Sequence, residues 1–262
     1  MLEQHSYTDI NAETWDQWAL DGIAWSIPVS HEVFQRAQAG QWDVILTASR
    51  PVPHSWFGEL AGKRVLDLGC GYGWHCIYAA EHGARQVTGI DLSDKMLAVA
   101  RQKTSAPNVE YRCCAIEDAD FADGSFDIVL SSLALHYVED YVGVVQNVHR
   151  MLRPGGVFLF SCEHPVFTAE GSQDWTYNPD GSIAHFPVDN YYYEGRRTAR
   201  FLGEEVTKYH RTLTTYLMSL LQNGFAITAV AEPMPPREMW DIPGMKDEMR
   251  RPMMLIIRAV KQ

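Results

Sequence analysis

The sequence VLDLGCGYGW, from Val65 to Trp74, decides the fold of this chain. An apolar run typical of a buried strand ends at Asp67, and glycines follow at the alternate positions Gly69, Gly71 and Gly73. Glycine has no Cβ, so it adopts unusual φ angles and lets a ligand approach the main chain closely. We therefore predict a strand, a tight ligand-binding turn and then a helix.

The chain that follows repeats this alternation. Short runs rich in Val, Ile, Leu and Phe alternate with helix-period stretches from Arg64 to Val260. Ser93 is a good N-cap for a helix that carries Met96 and Leu97. A later helix is expected from about Thr207 to Asn223, where apolar residues keep helical spacing. Continuous apolar strands are covered by helices on both faces, so the pattern predicts a doubly wound α/β sheet.

Charge and cysteine content limit the classes of function. The net charge of −11 disfavours a surface for phosphate backbones, so no nucleic-acid partner is expected. No segment approaches the ~18–20 uncharged apolar residues of a membrane span, and the N-terminus lacks the pattern of a signal peptide. The five cysteines show no zinc-binding spacing. We therefore expect a cytoplasmic protein with no membrane partner and no metal.

A second acidic residue indicates a nucleoside ligand. Asp91 ends the next predicted strand, about 20 residues after the glycines, where a carboxylate can accept both hydroxyls of a ribose. The GxGxG spacing departs from the GxGxxG of dinucleotide-binding folds. The carboxylate of Asp67 is unfavourable beside a pyrophosphate and suits a positively charged ligand. A nucleoside that bears an amino-acid group and a sulfonium fits this pattern.

Four ordered motifs carry a resemblance to a known family. VLDLGCGYGW, GIDLSDKML, FDIVLSSLALHYVED and LRPGG resemble the class I S-adenosylmethionine-dependent methyltransferases, in particular the small-molecule branch of the ubiquinone and menaquinone biosynthesis type. The resemblance covers about Lys63 to Cys162. It implies a Rossmann-like, seven-stranded sheet of order 3-2-1-4-5-7-6 with strand 7 antiparallel. It also implies S-adenosylmethionine as the cofactor and S-adenosylhomocysteine as its product.

The resemblance further implies where this cofactor binds. Asp67 and Gly69 would lie near its methionine part. Gly71 and Gly73 would lie under the ribose, whose hydroxyls Asp91 would bind. The complete set of cofactor-binding candidates is Asp67, Gly69, Gly71, Gly73, Asp91, Leu92, Met96, Ala115, Ile116, Glu117 and Ser132.

One part of the cofactor site departs from the family pattern. Many relatives carry an acidic residue and then a small one after strand 3, where the adenine amino group is held. This chain has Ala115 and Ile116 at those positions. The main chain at Ile116 can still meet the adenine edge, and Glu117 is a candidate for the missing acceptor.

We expect one domain over residues 1–262, built from four parts. Residues 1–60 form a helical N-terminal cap, and residues 63–164 form the cofactor-binding core. Residues 165–205 form an aromatic-rich insertion after strand 5, which resembles the lid that methyltransferases build over the acceptor. Residues 206–262 complete the sheet.

The segments after strands 4 and 5 supply the catalytic candidates, His136 and His164. His136 is either a general base or substrate ligand, or a histidine that only packs at a helix entry. The [D/N]PPY motif of amino-group methyltransferases that act on nucleic acids is absent after strand 4. Together with the acidic charge, this absence favours a small-molecule acceptor.

The insertion raises two further questions about partners. Its basic residues and one just beyond it either capture an anionic substrate or form a solvated face: Arg196, Arg197, Arg200 and Lys208. The tyrosines at positions 191–193 line the pocket or form an interface, so a homodimer is a candidate assembly.

The leading hypothesis is an S-adenosylmethionine-dependent methyltransferase that transfers a methyl group to a small organic acceptor by in-line displacement. One alternative is an NAD(P)-dependent oxidoreductase, which shares the sheet and the acidic ribose ligand; the glycine spacing and Asp67 count against it. The other is a non-catalytic S-adenosylmethionine-binding protein, which an intact glycine loop with Asp91 disfavours.

Overall fold

A computed structural model describes residues 6–21, 52–104, 106–201 and 204–262. Most of the predicted cap over residues 1–60 therefore lies outside the described residues. The α-helices of the described residues are α1 (Tyr7–Asp21), α2 (Trp74–Glu81), α3 (Asp94–Lys103), α4 (Tyr141–Met151), α5 (Pro165–Thr168) and α6 (Leu213–Gln222).

The strands form one large sheet and two hairpins. The large sheet contains β1 (Arg64–Leu68), β2 (Gln86–Asp91), β3 (Val109–Cys113), β4 (Phe126–Ser132), β5 (Leu152–Glu163), β10 (Phe225–Ala231) and β11 (Met254–Lys261). The hairpins pair β6 (Thr176–Tyr177) with β7 (Ile183–His185), and β8 (Gly195–Phe201) with β9 (Glu204–His210).

The order of the large sheet confirms the predicted topology. Its strands lie in the order β3-β2-β1-β4-β5-β11-β10. Numbered one to seven along the chain, this is 3-2-1-4-5-7-6. The last strand, β11, is antiparallel to both of its neighbours, and the other pairs are parallel. The carboxyl ends of β1, β2, β4 and β5 therefore meet at one edge of the sheet.

Strand β1 shows why these strands read as continuous apolar runs. Leu66 and Leu68 belong to the core on the face covered by α4 and α6, whereas Val65 belongs to the core on the face of α2 and α3. Successive side chains of a strand point to opposite faces, so both faces of this sheet need apolar residues. Helix α3 begins where expected, since the Ser93 hydroxyl accepts the Met96 N–H at 3.0 Å as the N-cap of this helix.

The predicted start of the helix over Thr207 to Asn223 is wrong. Residues through His210 form β9, which pairs with β8, and α6 begins only after the cap residue Thr212. The ring of Tyr209 packs edge-on against Tyr7 of α1 at 5.1 Å between centroids. Pairing across the hairpin and contact with α1 therefore override the local helical spacing. The insertion after β5 consequently runs over residues 165–210, and we use "the insertion" for that range.

Gly89 in β2 makes room beneath the glycine-rich turn. A Cβ at this position would lie 2.8 Å from the Sγ atoms of both Cys70 and Cys76, and 2.9 Å from the ring of Tyr111. The bare Cα therefore allows two thiols and one aromatic ring to pack between β2, the turn and α2. Sequence patterns did not single out this glycine.

Replacing Gly89 by alanine tests this packing. We expect Gly89→Ala to lower the free energy of unfolding by about 1–3 kcal/mol, the usual range for an overpacked core. Urea unfolding followed by circular dichroism measures it. The same change in a Cys76→Ala background should have a smaller effect, because one of the close sulfur atoms is gone. An equal loss in both backgrounds would contradict this explanation.

Candidate functional site: the carboxyl edge of the central strands

The turn after β1 owes its shape to three glycines in the left-handed region. The φ angles are +73° at Gly69, +52° at Gly71 and +79° at Gly73. A Cβ on Gly69 would lie 2.5 Å from the Cβ of Ala134, and one on Gly73 would clash with the hydroxyl of Tyr111. At Gly71 the nearest atom is only the terminal methyl group of Met96, at 3.3 Å. Protein neighbours thus exclude side chains at two of the glycines, and the third is more open to a ligand.

Asp91 fastens this turn to the end of β2. Its Oδ2 accepts the N–H of Gly71 at 2.8 Å, and its Oδ1 accepts the N–H of Ser93 at 2.9 Å. Burial raises the pKa of Asp91 to about 6, although both N–H donors favour the ionised form. Each carboxylate oxygen still has lone-pair capacity for a further donor. The residue can therefore hold the turn and accept ribose hydroxyls together.

Asp67 lies beneath the same turn and lacks a hydrogen-bond partner on one side. The residue is fully buried, and its Oδ2 is 3.6 Å from Nδ1 of His75 and accepts the Cys76 thiol at 3.7 Å. Its Oδ1 has no hydrogen-bond partner among the described residues. An unpaired buried carboxylate oxygen is costly. A positive charge bound above the turn would offset part of this cost, so Asp67 favours a positively charged ligand there, as S-adenosylmethionine is.

The other predicted cofactor residues lie along the same edge. Met96 reaches Gly71, and a side-chain carbon of Ile116 lies 3.6 Å from where a Cβ on Gly69 would be. Ser132 ends β4 beside Ser161 of β5. Leu92 and Ala115 follow the ends of β2 and β3, where the Leu92 carbonyl accepts the Cys113 thiol at 3.4 Å and Ala115 is buried.

Glu117 is already engaged by other parts of the protein. Its Oε1 accepts the hydroxyl of Tyr7, from α1, and the N–H of Glu139 at 3.0 Å. The adenine acceptor predicted at Glu117 therefore lies where α1 contacts the sheet edge. Whether this carboxylate also meets adenine stays a prediction.

Helix α1 spans the carboxyl edge of the sheet. The sequence predicted a helical cap but not this position. Tyr7 contacts Glu117 at one end, and Asp16 accepts the Ser93 hydroxyl near Asp91. Between them, Trp15 packs edge-on against Tyr137 at 6.2 Å between ring centroids. The high aromatic content of the first 60 residues was the signal for a packed segment, but its position depends on contacts with distant residues.

His136 is a buried, neutral imidazole at the end of β4. Burial, together with the smaller effects of the Lys208 and Arg211 charges, lowers its pKa to about 4 against the opposing charge of Glu163. Its Nδ1 accepts the N–H of Glu163 at 3.3 Å, so the single proton of the neutral ring is on Nε2. Nε2 in turn lies 3.9 Å from Oε1 of Glu163. In this arrangement His136 is a hydrogen-bond donor.

Glu163 and Lys208 form a buried ion pair beside His136. The ammonium of Lys208 is 2.6 Å from Oε1 of Glu163 and donates to Oε1 of Gln173 at 2.8 Å. Gln173 closes the arrangement by donating to Oε2 of Glu163 at 2.7 Å. The Lys208 charge lowers the pKa of Glu163 although burial acts in the opposite direction. The pair ties the insertion to the carboxyl end of β5.

His164 has a different environment from His136. It is the N-cap of α5, since its Nδ1 accepts the N–H of Val166 at 3.0 Å, and its Nε2 lies 2.8 Å from Oε1 of Glu232. Burial lowers its pKa, and Glu232 opposes that effect. The structure thus gives His164 a local capping role, and its catalytic role stays a prediction.

Three of the four predicted basic residues make separate contacts within the protein. Arg197 donates to the backbone carbonyls of Ala169 and Tyr193, Arg196 donates to the Thr207 hydroxyl at 3.2 Å, and Lys208 is paired with Glu163. The sequence analysis did not single out Arg251. This residue is buried, and its guanidinium carbon lies 4.6 to 4.9 Å from the ring centroids of Phe167, Trp175 and Phe186. It holds the insertion against the start of β11.

In the described part of the chain, no group of three or more His, Cys, Asp or Glu side chains could hold a metal ion. In the same ranges no helix has the length and apolar character needed to cross a bilayer.

Similarity to known proteins identifies the class of protein to which this chain belongs. A methyltransferase domain family matches residues 66–160. A Listeria monocytogenes structure assigned to the S-adenosylmethionine-dependent methyltransferases is 53% identical and covers 79% of this chain and 95% of its own, with a TM-score of 0.74. An S-adenosylmethionine-dependent methyltransferase from Mesorhizobium loti is 41% identical and covers 79% of this chain and 94% of its own, with a TM-score of 0.73.

The cofactor-binding part also matches a curated enzyme. The ubiquinone biosynthesis O-methyltransferase of Idiomarina loihiensis is 44% identical over 105 residues, which are 39% of this chain and 43% of that enzyme. The chain belongs to the class I S-adenosylmethionine-dependent methyltransferases, and S-adenosylmethionine is its methyl donor. The oxidoreductase and the non-catalytic binding protein are thereby set aside.

The raised pKa of Asp91 makes a prediction about stability without ligand. The folded pKa of about 6 exceeds the unfolded value of ~3.9, so the native state loses stability as pH rises through that window. Asparagine does not ionise, so Asp91→Asn removes this pH-dependent loss of stability. Its amide nitrogen cannot accept a hydrogen bond, so one of the two bonds from backbone N–H groups is lost. We expect Asp91→Asn to be more stable than wild type by about 1–3 kcal/mol at pH 7, and less stable at pH 3.5.

Urea unfolding at a series of pH values measures this difference. Asp94→Asn, in the first turn of α3, is a matched carboxyl-to-amide control. A constant difference between wild type and Asp91→Asn across that range would refute the raised pKa.

Proposed function

We propose that this methyltransferase acts on a small organic acceptor at the carboxyl ends of β4 and β5, by in-line displacement. The observation that supports it is the enclosure of this edge. His136, Glu163 and Lys208 are all buried where β5 and β9 meet the turn after β4, and α1 packs on β9. A small molecule can be held inside such an enclosure, whereas a macromolecular acceptor would have to displace α1 and the insertion.

Enclosure also suits the reaction. S-adenosylmethionine supplies a methyl group on a positively charged sulfur, and its transfer to a neutral acceptor disperses that charge. Exclusion of water and alignment of the reactants are therefore the main contributions that this chain can make, and alignment alone is worth ~7–11 kcal/mol. In this proposal Asp67, Gly71 and Asp91 hold the donor, and the insertion acts as the lid over the acceptor.

The four predicted parts of the chain have distinct roles in this proposal. Residues 1–60 cap the edge, and residues 63–164 bind the cofactor. Residues 165–205, extended to His210 by β9, cover the acceptor, and the rest of residues 206–262 completes the sheet. Contacts of α1 with Glu117 and Ser93 support the first role, and contacts of Gln173 with Glu163 support the third.

Binding of the cofactor is the first experiment. We expect titration calorimetry to show micromolar binding of S-adenosylmethionine and S-adenosylhomocysteine, and no binding of NADH. Asp91→Asn should weaken both by about tenfold or more, because a hydrogen bond from a ribose hydroxyl to a charged group is lost. The Asp94→Asn variant serves as the control.

Formation of S-adenosylhomocysteine in the presence of candidate acceptors then tests the reaction. Turnover with phenols, amines or carboxylic acids of metabolite size would support the proposal. Binding of the donor without turnover on any small acceptor, but with turnover on protein or RNA, would overturn it.

His136 is proposed to position the acceptor by donating a hydrogen bond from Nε2. A general-base role needs the proton on Nδ1, which would then face the N–H of Glu163. Once an acceptor is found, we expect His136→Gln, which keeps a donor near the Nε2 position, to retain more kcat/KM than His136→Phe. A base with the pKa of His136, about 4, would not titrate between pH 6 and 8, so kcat/KM should be flat there. A rise that disappears in His136→Gln would establish the base instead.

The assembly and location remain proposals. Tyr192 and Tyr193 are 87% and 74% exposed, which supports an interface more than a pocket lining, so we propose a homodimer. Sedimentation velocity would contradict it by showing a monomer at micromolar concentration. A cytoplasmic location is supported by the free thiols of all five cysteines, and cell fractionation tests it.

A further inference from the structure

Arg211, directly after β9, is a buried cation next to the turn that carries His136. Its Nη2 donates to the main-chain carbonyls of Val138 and Glu139, and its Nη1 donates to the carbonyl of Tyr209 at 3.2 Å. The residue is only 6% exposed. These partners are neutral, and no carboxylate among the described residues forms an ion pair with Arg211. Neutral dipoles stabilise a buried charge without cancelling it, so a net positive charge remains at this edge.

The buried charges that act on His136 have an excess of positive charge. Lys208 and Glu163 form an ion pair at 2.6 Å, so their charges offset each other. Arg211 adds a second cation. Burial first, and then the charges of Lys208 and Arg211, lower the pKa of His136, whereas the charge of Glu163 raises it. Two cations and one carboxylate therefore act on the ring that is proposed to hold the acceptor.

The other charged groups around Arg211 do not cancel this excess. The carboxylates of Glu139 and Glu194, close to it in the fold, are exposed, and water screens exposed charges. Arg251 and Glu248 are paired with each other at 2.9 Å. The chain as a whole has a net charge of −11, so the positive acceptor end is a local feature. It favours an anionic acceptor and disfavours an amine, which is protonated at neutral pH.

The two titratable groups nearest the proposed acceptor are not placed to remove a proton. Nδ1 of His136 accepts the N–H of Glu163, and Nε2 carries the ring proton. The carboxylate of Glu163 is engaged by Lys208 and Gln173. A phenol, with a pKa of ~10, needs a base at neutral pH, whereas a carboxylic acid, with a pKa of ~4, is already ionised. A carboxylate therefore matches both the positive charge and the roles of these two groups.

We propose that the methyl acceptor is a carboxylate, bound by the Nε2–H of His136 in the positive surroundings that Lys208 and Arg211 provide. A carboxylate oxygen attacks the methyl carbon of S-adenosylmethionine in line with sulfur. The new O–C bond forms as the C–S bond breaks, and the electron pair of the broken bond stays on sulfur. The charges of carboxylate and sulfonium cancel, so the products are a methyl ester and S-adenosylhomocysteine, and no proton is released. The inference rests on the proposed function, whose acceptor it narrows to one chemical class.

The chemistry of the product tests this inference on the wild-type protein. The probes are a panel of aliphatic and aromatic carboxylic acids, and the amides, phenols and amines with the same carbon skeletons, followed by the small-molecule fraction of a cell extract. With S-adenosylmethionine tritiated in its methyl group, a methyl ester releases volatile methanol in mild alkali, whereas methyl ethers and methylamines do not. We expect the transferred label to be released by alkali. In weakly buffered solution the reaction should release no proton, whereas methylation of a phenol or an ammonium releases one.

Variants of Arg211 test the contribution of its charge. With the acceptor found above, we expect Arg211→Met to raise the KM for that acceptor ~10-fold or more and the KM for S-adenosylmethionine less than ~2-fold. Arg211→Lys, which keeps the charge, should recover part of the loss. The matched control is the half-buried Arg258 of β11, which also donates to a main-chain carbonyl, that of Trp56, at 2.8 Å, and pairs with Leu159 in the middle of β5. Arg258→Met should change neither KM.

The outcomes separate this inference from the proposed function. Alkali-stable label on a phenol, an amine or a carbon atom would overturn the inference and leave the small-molecule methyltransferase in place. A lower kcat with both KM values unchanged in Arg211→Met would mean that this residue only fastens the turn, and the charge argument would fall. If Arg211→Met does not fold, Arg211→Lys and the wild-type product still decide. Absence of turnover on the whole panel and the extract would remove the proposed function itself.

Discussion

The turn between β1 and α2 is held in a shape that residues with side chains adopt only at a cost of roughly 1–2 kcal/mol each. Its left-handed glycines are fastened from below, because the N–H groups of Gly69 and Cys70 both donate to the Ile90 carbonyl at 2.9 Å. The next bond goes from the N–H of Gly71 to the Asp91 carboxylate. Ile90 and Asp91, at the end of β2, therefore both hold the turn, and Asp91 is also the residue proposed to bind the ribose.

The buried carboxylates of the proposed acceptor site and of the proposed cofactor site differ in their hydrogen-bond partners. On the acceptor side, Glu163 has the ammonium of Lys208 and the amide of Gln173, and its oxygens are satisfied within the protein. On the cofactor side, the donors to Asp91 among the described residues are backbone N–H groups, and Asp67 has one oxygen without a partner in the same part of the chain. A ligand that brings hydroxyl donors and a positive charge relieves these two carboxylates, so the strain is concentrated where binding can offset it.

Elements far apart in the sequence enclose this edge. Helix α1 joins Glu117 to Ser93 across the carboxyl ends of the strands, and Asn11 of α1 exchanges hydrogen bonds with the main chain of Thr207 in β9. The insertion is in turn tied to the sheet by Lys208. These contacts connect the covers to each other as well as to the sheet. The proposed cofactor and acceptor sites are thereby enclosed by the same two elements.

The sequence by itself determined the central sheet, the glycine-rich turn, Asp91 and the cap at Ser93, because each depends on neighbours a few residues away or on the alternation of strands and helices. The tertiary structure alone decided that residues 207–210 extend a hairpin, that α1 crosses the site and that Gly89 must lack a side chain. It also decided that His136 shares its space with Glu163 and Lys208, residues that come from three separate elements. Local periodicity carries no information about such partners, since burial, pairing across strands and the pKa of a buried group are set by residues that only the folded chain brings together.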